Sequence, residues 1–394
     1  MKANLMMPGF FLVMAVSATA QIQFMQQPDW KDVLAKAKRE NKAIFADAYT
    51  EWCIWCKTMD KNTFTDAGVM EYMNKNFVSV KMEMETGFGA TLAMKYRVFG
   101  FPTFLVFAPD GKFIERALGY QKPEAFLGTL KKILSIPEID FPKGISANIE
   151  LPFPDFYKKV FTEGKRSSKS YPDSVTVKDF LGHQKDLTSE IGWSVLFRFY
   201  SLTTGYDDWI IENGKQLQQL YGEQELKHAL GRIINQRFRQ VADRADEDAL
   251  QNEIFPLVDQ FLPDDALQTK VNYKITFYTS TGKYGKALLA LDELISIPGG
   301  DPGATINSTC WEIYEKCDDA AILQTAATPM NKLITSEPEY AYLDTYAALL
   351  FKMKDYAKAE EYALKAIETG RKENQNVLET EELLKKIKES IQNN

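Results

Sequence analysis

Residues 51–57 read Glu51-Trp52-Cys53-Ile54-Trp55-Cys56-Lys57 and lie between a strand-like run and a helix-like run. Two cysteines at this spacing form a dithiol that can open and close, which is redox chemistry. Such chemistry needs one accessible thiol that is partly thiolate at neutral pH, and a second thiol within reach. Because a helix N-terminus favours negative charge, the pattern predicts Cys53 as the nucleophile. Cys56, one turn further on, is then the resolving thiol.

A static disulfide and a metal site are the two alternatives to a redox-active pair. A disulfide across so short a loop restrains the unfolded chain little, so it would add little stability. A metal site would need further ligands, and the histidines and cysteines outside the pair are His183, His228, Cys310 and Cys317. The sequence therefore favours redox chemistry that needs no metal, and no cofactor other than the disulfide itself.

The sequence around the dithiol predicts strands that alternate with helices. Asp29 can cap an amphipathic helix, the dithiol begins another, and Pro123 is typical of a first helical position. Four runs are strand-like, and they cover residues 42–49, 77–82, 104–107 and 112–118. This order predicts an α/β sandwich, with a mixed sheet and helices on both faces.

Residues 25–135 resemble the thioredoxin family, in particular its exported members that carry the motif W-C-x-W-C-K. Asp47 falls on the family's buried acid, and Lys81 falls on the lysine near that acid. Trp52 falls on the tryptophan before the nucleophile, and Phe101-Pro102-Thr103 falls on the cis-proline loop that faces the dithiol. The resemblance implies the thioredoxin-like sandwich for this part of the chain.

The resemblance also implies roles for these residues. Asp47, with Lys81, would move the proton of the resolving cysteine; the alternative is a buried acid satisfied by local hydrogen bonds. The bond before Pro102 would be cis. Because proline lacks an N–H and keeps the strand edge open, Phe101 could pair main chain to main chain with a substrate peptide.

Two positions depart from ordinary thioredoxins. The inner dipeptide of the dithiol is Ile54-Trp55 rather than Gly-Pro, and the residue before the cis-proline is the bulky Phe101. Inner dipeptides tune the reduction potential, so the direction of electron flow stays open. Trp55 either contacts substrate or packs on its own helix.

Residues 1–20 have the pattern of a signal peptide. Lys2 provides a basic start, residues 5–16 are largely apolar, and Ala18-Thr19-Ala20 fits the cleavage pattern. The apolar run is shorter than the roughly 20 residues that span a bilayer. We expect export to an oxidising compartment; an uncleaved anchor or a buried N-terminal helix is the alternative. No second run is long enough to insert stably in a membrane.

Length and charge indicate two domains and exclude some partners. The chain has 394 residues and a net charge of −7, with no basic patch interleaved with aromatic residues. A nucleic acid partner is therefore excluded. We expect a signal peptide at 1–20, a thioredoxin-like domain at 21–135, a proline-containing linker at 136–154 and an all-α domain at 155–394.

The all-α domain contains an internal repeat. Residues 282–287 resemble residues 354–359, and a weaker copy lies between them, so that Ala287, Ala321 and Ala359 are 34 and 38 residues apart. This spacing is close to the tetratricopeptide period of about 34 residues, and the resemblance is clearest at 271–370. Cys310 and Cys317 would lie about 10 Å apart on one helix, which predicts two free buried thiols. A broken helix would let them pair.

The sequence thus favours an exported thiol–disulfide oxidoreductase, a reductase rather than an oxidase, in a Gram-negative periplasm. Its partners would be disulfide-bearing envelope proteins and a membrane electron donor or acceptor. The helical domain would hold a protein or peptide ligand. The alternatives are a helical binding or chaperone-like module with a vestigial dithiol, and a disulfide isomerase.

Overall fold

The computed structural model describes residues 21–98, 100–162, 171–203 and 205–393. The chain forms two compact units, of which one ends at Leu230 and the other begins at Gly231. The expected signal peptide lies outside the described residues. In the part of the chain that the structure describes, no helix has both the length and the apolar character needed to cross a bilayer.

The first part of the first unit is built from strands and helices in alternation. The strands are β1 (Met25–Gln26), β2 (Ala43–Tyr49), β3 (Phe77–Glu83), β4 (Thr103–Phe107) and β5 (Phe113–Leu118). The helices are α1 (Trp30–Glu40), α2 (Ile54–Thr58), α3 (Ala67–Asn76), α4 (Gly87–Lys95) and α5 (Pro123–Leu134). Each strand predicted from the sequence is present with its ends shifted by at most one residue. β1 was missed, because two residues give no detectable periodicity.

The strands form one mixed sheet in the order β1-β3-β2-β4-β5. β2 runs parallel to β3 and antiparallel to β4. The parallel register sets Asp47 beside Lys81, and the antiparallel register sets Ala48 beside Thr103. The start of β4 therefore lies next to the end of β2, where the dithiol follows. The predicted mixed sheet is confirmed.

Aromatic side chains fill the core between the sheet and α5. Phe45 on β2, Phe104 on β4 and Phe126 on α5 are fully buried, with ring centroids 5.2–5.9 Å apart. Stacked and edge-on contacts of this kind add to the free energy gained from burial. This core holds β2, and with it the dithiol segment, in place.

The remainder of the first unit contains helices and, among its described residues, no strand. Its helices are α6 (Asp155–Thr162), α7 (Ser174–Gly182), α8 (Glu190–Arg198), α9 (Asp207–Glu212), α10 (Gly214–Tyr221) and the start of α11 (Glu223–Asp243). Residues 136–154, the expected linker, contain a short 3₁₀ turn at Glu138–Asp140 and no strand. The boundary between the compact units falls inside α11, and the domain limits taken from the sequence stay predictions.

The second unit is helical throughout its described residues. Its further helices are α12 (Glu247–Ala249), α13 (Phe255–Phe261), α14 (Ala266–Ser280), α15 (Tyr284–Ile295), α16 (Gly303–Lys316), α17 (Ala320–Ser336), α18 (Tyr340–Lys352), α19 (Tyr356–Lys372) and α20 (Leu378–Gln392). Ala287 and Ala359 are fully buried, as close helix packing requires, whereas Ala321 is exposed. The tetratricopeptide assignment stays a prediction. Cys310 on α16 and Cys317 just beyond it are buried and free, which confirms the expectation for these thiols.

Candidate active site

The two cysteines lie at the start of α2, one loop after β2. They are joined as a disulfide, and the backbone N–H of Cys56 donates a hydrogen bond to Sγ of Cys53 at 3.0 Å. Cys53 is thus the N-cap of α2, where unpaired N–H groups and the helix dipole favour a thiolate in the reduced form. The predicted strand-to-helix position of the dithiol is confirmed.

Neighbouring side chains, rather than the sulfur atoms, form the exposed surface around the disulfide. Cys53 is only 3% exposed, whereas the sequence predicts an accessible nucleophile. Trp52, Ile54 and Trp55 are 38%, 74% and 58% exposed and occupy the surface instead. Large apolar side chains at these positions give the site an apolar rim.

A buried acid and a lysine lie side by side in the sheet behind the dithiol. Nζ of Lys81 is 3.3 Å from Oδ2 of Asp47, which is buried. Burial raises the pKa of Asp47 to about 6, because desolvation of the carboxylate outweighs the opposing effect of the Lys81 ammonium. In the described part of the chain, Oδ1 of Asp47 has no hydrogen-bond partner. This oxygen can therefore accept a proton.

A second carboxylate links the lysine to the surface. Lys81 also donates a hydrogen bond to Asp60, whose side chain is 45% exposed. Burial alone would lower the pKa of Lys81, but the carboxylates of Asp47 and Asp60 outweigh it and raise that pKa. Asp60 lies in the π-helical turn Met59–Thr63 that directly follows α2. The three side chains form a continuous polar path from the interior to the surface.

The loop before β4 faces the dithiol segment. Its Phe101–Pro102 bond is cis, as the family resemblance implies. The hydroxyl of Thr103 donates to the carbonyl of Gly100 at 2.7 Å, and the N–H of Gly119 donates to the carbonyl of Pro102 at 2.9 Å. Among the described residues, neither the N–H nor the carbonyl of Phe101 forms a backbone hydrogen bond. This residue can still pair with another chain.

Each tryptophan of the motif has a neighbour of its own. Nε1 of Trp52 donates to both carboxylate oxygens of Glu85 at 3.0 and 3.1 Å, and its ring meets Phe101 edge-on at 5.8 Å. The ring of Trp55 lies 5.6 Å from that of Tyr120. Trp52 is thus held against the cis-proline loop. Trp55 packs on Tyr120 and keeps most of its surface in solvent.

A buried ion cluster supports the cis-proline loop from the helical part of the unit. Glu225 on α11 accepts two hydrogen bonds from Arg97, at 2.6 and 3.0 Å, and one from Nε1 of Trp193 at 2.5 Å. It also accepts from Arg116 on β5. Burial would raise the pKa of Glu225, but the two guanidinium groups outweigh it and hold that pKa low. Arg97 immediately precedes the loop, so the cluster fixes where the loop begins.

The predicted site residues are brought together in two pairs, Asp47 with Lys81 and Trp52 with Phe101. Sequence reasoning missed Asp60, although it follows Cys56 by four residues, the spacing of one helical turn. It also missed Glu225, for which no local signal exists, because Arg97 lies 128 residues away. Local motifs identify the reacting groups but not the groups that support them.

A family model for thioredoxin-like domains matches residues 30–134, and this part of the chain is a thioredoxin-like domain. The chain is 31% identical over 110 residues to the thiol:disulfide interchange protein DsbD of Pseudoalteromonas atlantica, which covers 27% of this chain and 18% of that relative. It is 32% identical over 107 residues to DsbD of Colwellia psychrerythraea, covering 26% and 18%. The chain therefore spans less than a fifth of the length of these relatives.

Two solved structures are similar to the same region. A thioredoxin from Thermus thermophilus is 26% identical, with a TM-score of 0.27, and the match covers 28% of this chain and 88% of that one. The C-terminal domain of DsbD from Neisseria meningitidis, in the oxidised form, is 24% identical, with a TM-score of 0.24, covering 27% and 98%.

Proposed function

We propose that this protein is a thiol–disulfide oxidoreductase that exchanges the Cys53–Cys56 pair with disulfides of other proteins. One observation carries the proposal: the dithiol caps α2 with the Asp47–Lys81 pair behind it and the cis-proline loop beside it. The names of the similar relatives, thiol:disulfide interchange proteins, support the same chemistry.

The reducing direction has two steps. The Cys53 thiolate attacks one sulfur of the substrate disulfide, so that a mixed disulfide forms and the other substrate sulfur leaves as a thiolate. Cys56 then loses its proton and attacks Sγ of Cys53. The Cys53–Cys56 disulfide forms, and the second substrate sulfur leaves. Two electrons pass to the substrate, and its two thiolates take up protons.

Asp47 is the proposed base for Cys56. A pKa of about 6 lets its carboxylate accept the thiol proton near neutral pH and release it afterwards. The proton then has a path along Lys81 to Asp60 and solvent. Asp60, half-exposed, is thereby added to the residues expected from the sequence.

The N-terminal sequence pattern supports a proposal for the compartment and for the electron partner. The small-x-small sequence after the apolar run of residues 5–16 supports export to a Gram-negative periplasm. Envelope proteins with disulfides would then be the substrates. A reductase there needs a membrane electron donor, and an oxidase needs a membrane acceptor. We favour the reductase; the reduction potential of the pair would decide, a low value supporting it and a high value supporting an oxidase or isomerase.

A trapping experiment tests the proposed chemistry. In Cys56→Ser the mixed disulfide forms but is not resolved, so we expect disulfide-linked adducts with client proteins on non-reducing gels. Cys53→Ser is the matched control and should trap none. If neither variant forms adducts and the wild type does not reduce a model disulfide, the proposal is wrong.

We further propose that the helical second unit holds a protein or peptide ligand of the oxidoreductase. Its own buried cluster, which runs from α14 to α20, gives it a stable core without help from the dithiol. Full cellular function after replacement of both Cys53 and Cys56 would instead favour the binding module with a vestigial dithiol.

A further inference from the structure

A cavity of about 210 Å³ opens beside the cis-proline loop, within the first unit. Residues 100–102 form one wall and Leu118 at the end of β5 forms another. Phe197 on α8 and His228 on α11 complete it. The last two lie outside residues 30–134, so the thioredoxin-like domain alone would not enclose this space.

The charged groups beneath the cavity are paired with one another, although two guanidinium groups share one carboxylate. Arg97, Arg116 and Glu225 all contribute to the lining, but both guanidinium groups are bound to the one carboxylate. The remaining lining is predominantly apolar. An apolar group would therefore enter this cavity more favourably than a charged one.

The cavity also lies next to the atoms that would hold a substrate. Phe101 contacts the ring of Trp52, beside the dithiol, and itself lines the cavity. Its free N–H and carbonyl can pair with an extended peptide whose cysteine reacts with Cys53. Such a peptide advances about 3.3 Å per residue, so a side chain within a few residues of that cysteine would pass the cavity.

We propose that this cavity is a specificity subsite that binds one aromatic or large aliphatic side chain of the disulfide-bearing substrate. The inference rests on the proposed oxidoreductase function and names the feature of the substrate that it selects. The volume is sufficient, since an apolar cavity of about 150 Å³ already binds benzene. The helical part of the first unit thus contributes directly to substrate choice.

Two peptide series test the subsite with the full-length, reduced protein. Each peptide contains one disulfide, and Phe or Ser is placed in turn at each of the four positions on either side of the reacting cysteine. We expect kcat/KM to favour Phe by about tenfold or more at one position or two, the discrimination typical of an apolar pocket. The ratio within a pair cancels general changes in activity.

Two variants then alter the cavity itself. A β-carbon at Gly100 would meet no atom within 4 Å, so the backbone accommodates Gly100→Leu, and an added side chain in this wall should bring the Phe/Ser ratio close to one. Leu118→Ala removes a wall at a position that is 40% exposed and should lower the ratio at least threefold without affecting folding. Gly128→Leu, on the exposed face of α5, is the matched control and should keep the wild-type ratio.

The results that would contradict the subsite differ from the results that would contradict the proposed function. Equal rates for Phe and Ser peptides at every position, or an unchanged ratio in both cavity variants, overturns the subsite and leaves the oxidoreductase standing. If the wild type reduces neither the peptides nor a small aromatic disulfide, the proposed function itself falls, and the subsite falls with it.

Discussion

Burial favours the protonated form of the Asp47 carboxyl group more strongly than solvent does. Its pKa rises to about 6 in the folded chain from an ordinary value of 3.8. Between these two values the folded state binds more protons than the unfolded state, so the free energy of unfolding falls as the pH rises from about 4 to 6. Below that window the carboxyl group is protonated in both states, and the loss of stability caused by burying its charge disappears. Above pH 6 the full loss of stability remains.

Asp47→Asn should therefore stabilise the protein at pH 8. We expect the free energy of unfolding to rise by about 2–3 kcal/mol there, because one pKa unit corresponds to about 1.4 kcal/mol, and the gain should vanish near pH 4. Lys81 keeps Asp60 as its partner in this variant. Denaturant titrations at both pH values measure the effect.

Asp32→Asn, at an exposed position of α1, is the control and should shift the free energy of unfolding by no more than about 0.5 kcal/mol. The same Asp47 variant should slow release of substrate from Cys53, since it lacks the base. Equal stability of wild type and Asp47→Asn at pH 8 would contradict the assigned burial cost.

At the scale of single elements, the strands are easier to predict from the sequence than the turn that positions Asp60 beside Lys81. β2 and β4 are continuous apolar runs between turn signals, and such runs can be read directly from a sequence. The π-helical turn after α2 was not foreseen, because nothing in its residues distinguishes it from an α-helix. It nevertheless carries Asp60 towards Lys81.

One carboxylate joins four elements of the first unit. Glu225 at the start of α11 binds Arg97 after α4, Arg116 on β5 and Trp193 on α8. We expect Glu225→Gln to lower the free energy of unfolding by about 3–5 kcal/mol, because two buried guanidinium groups lose their counter-charge. Chemical denaturation of the full chain measures this loss.

Glu223 provides the matched control two residues earlier on the same helix. Its side chain is 44% exposed and pairs with Lys227 at 3.0 Å. Glu223→Gln should cost no more than about 0.5 kcal/mol, the usual worth of an exposed pair on a helix. If both variants lose the same free energy of unfolding, the Glu225 cluster contributes no more to stability than the exposed pair does.

At the scale of the whole molecule, the sequence placed a domain end at residue 135, where the thioredoxin resemblance stops. Contacts inside the first unit cross that point. The hydroxyl of Tyr157 donates to the carbonyl of Met94 at 2.9 Å, and Lys95 pairs with Glu190 at 2.5 Å. These partners lie far apart in the chain, and the sequence around one partner gives no indication of the other. Such packing cannot be read from local periodicity.

A fragment of residues 21–135 should therefore be less stable than one of residues 21–243, which retains α6 to α11. We expect its melting temperature to be lower by about 10 °C or more, since each kcal/mol lost shifts the melting temperature of domains in this size range by about 2–8 °C. Circular dichroism melts of the two fragments provide the measurement. Equal melting temperatures would instead support a domain that ends at 135.

The burial of Cys310 and Cys317 has a consequence for measuring the chemistry of the other pair. Burial raises the pKa of Cys310 to about 12, and Cys317 is also shielded from solvent. Alkylating reagents require an accessible thiolate, so in the native protein they would leave the fully buried Cys310 unmodified. In a Cys317→Ser variant, the mass added by such a reagent would then count the electrons stored on the Cys53–Cys56 pair, with no substitution needed at Cys310.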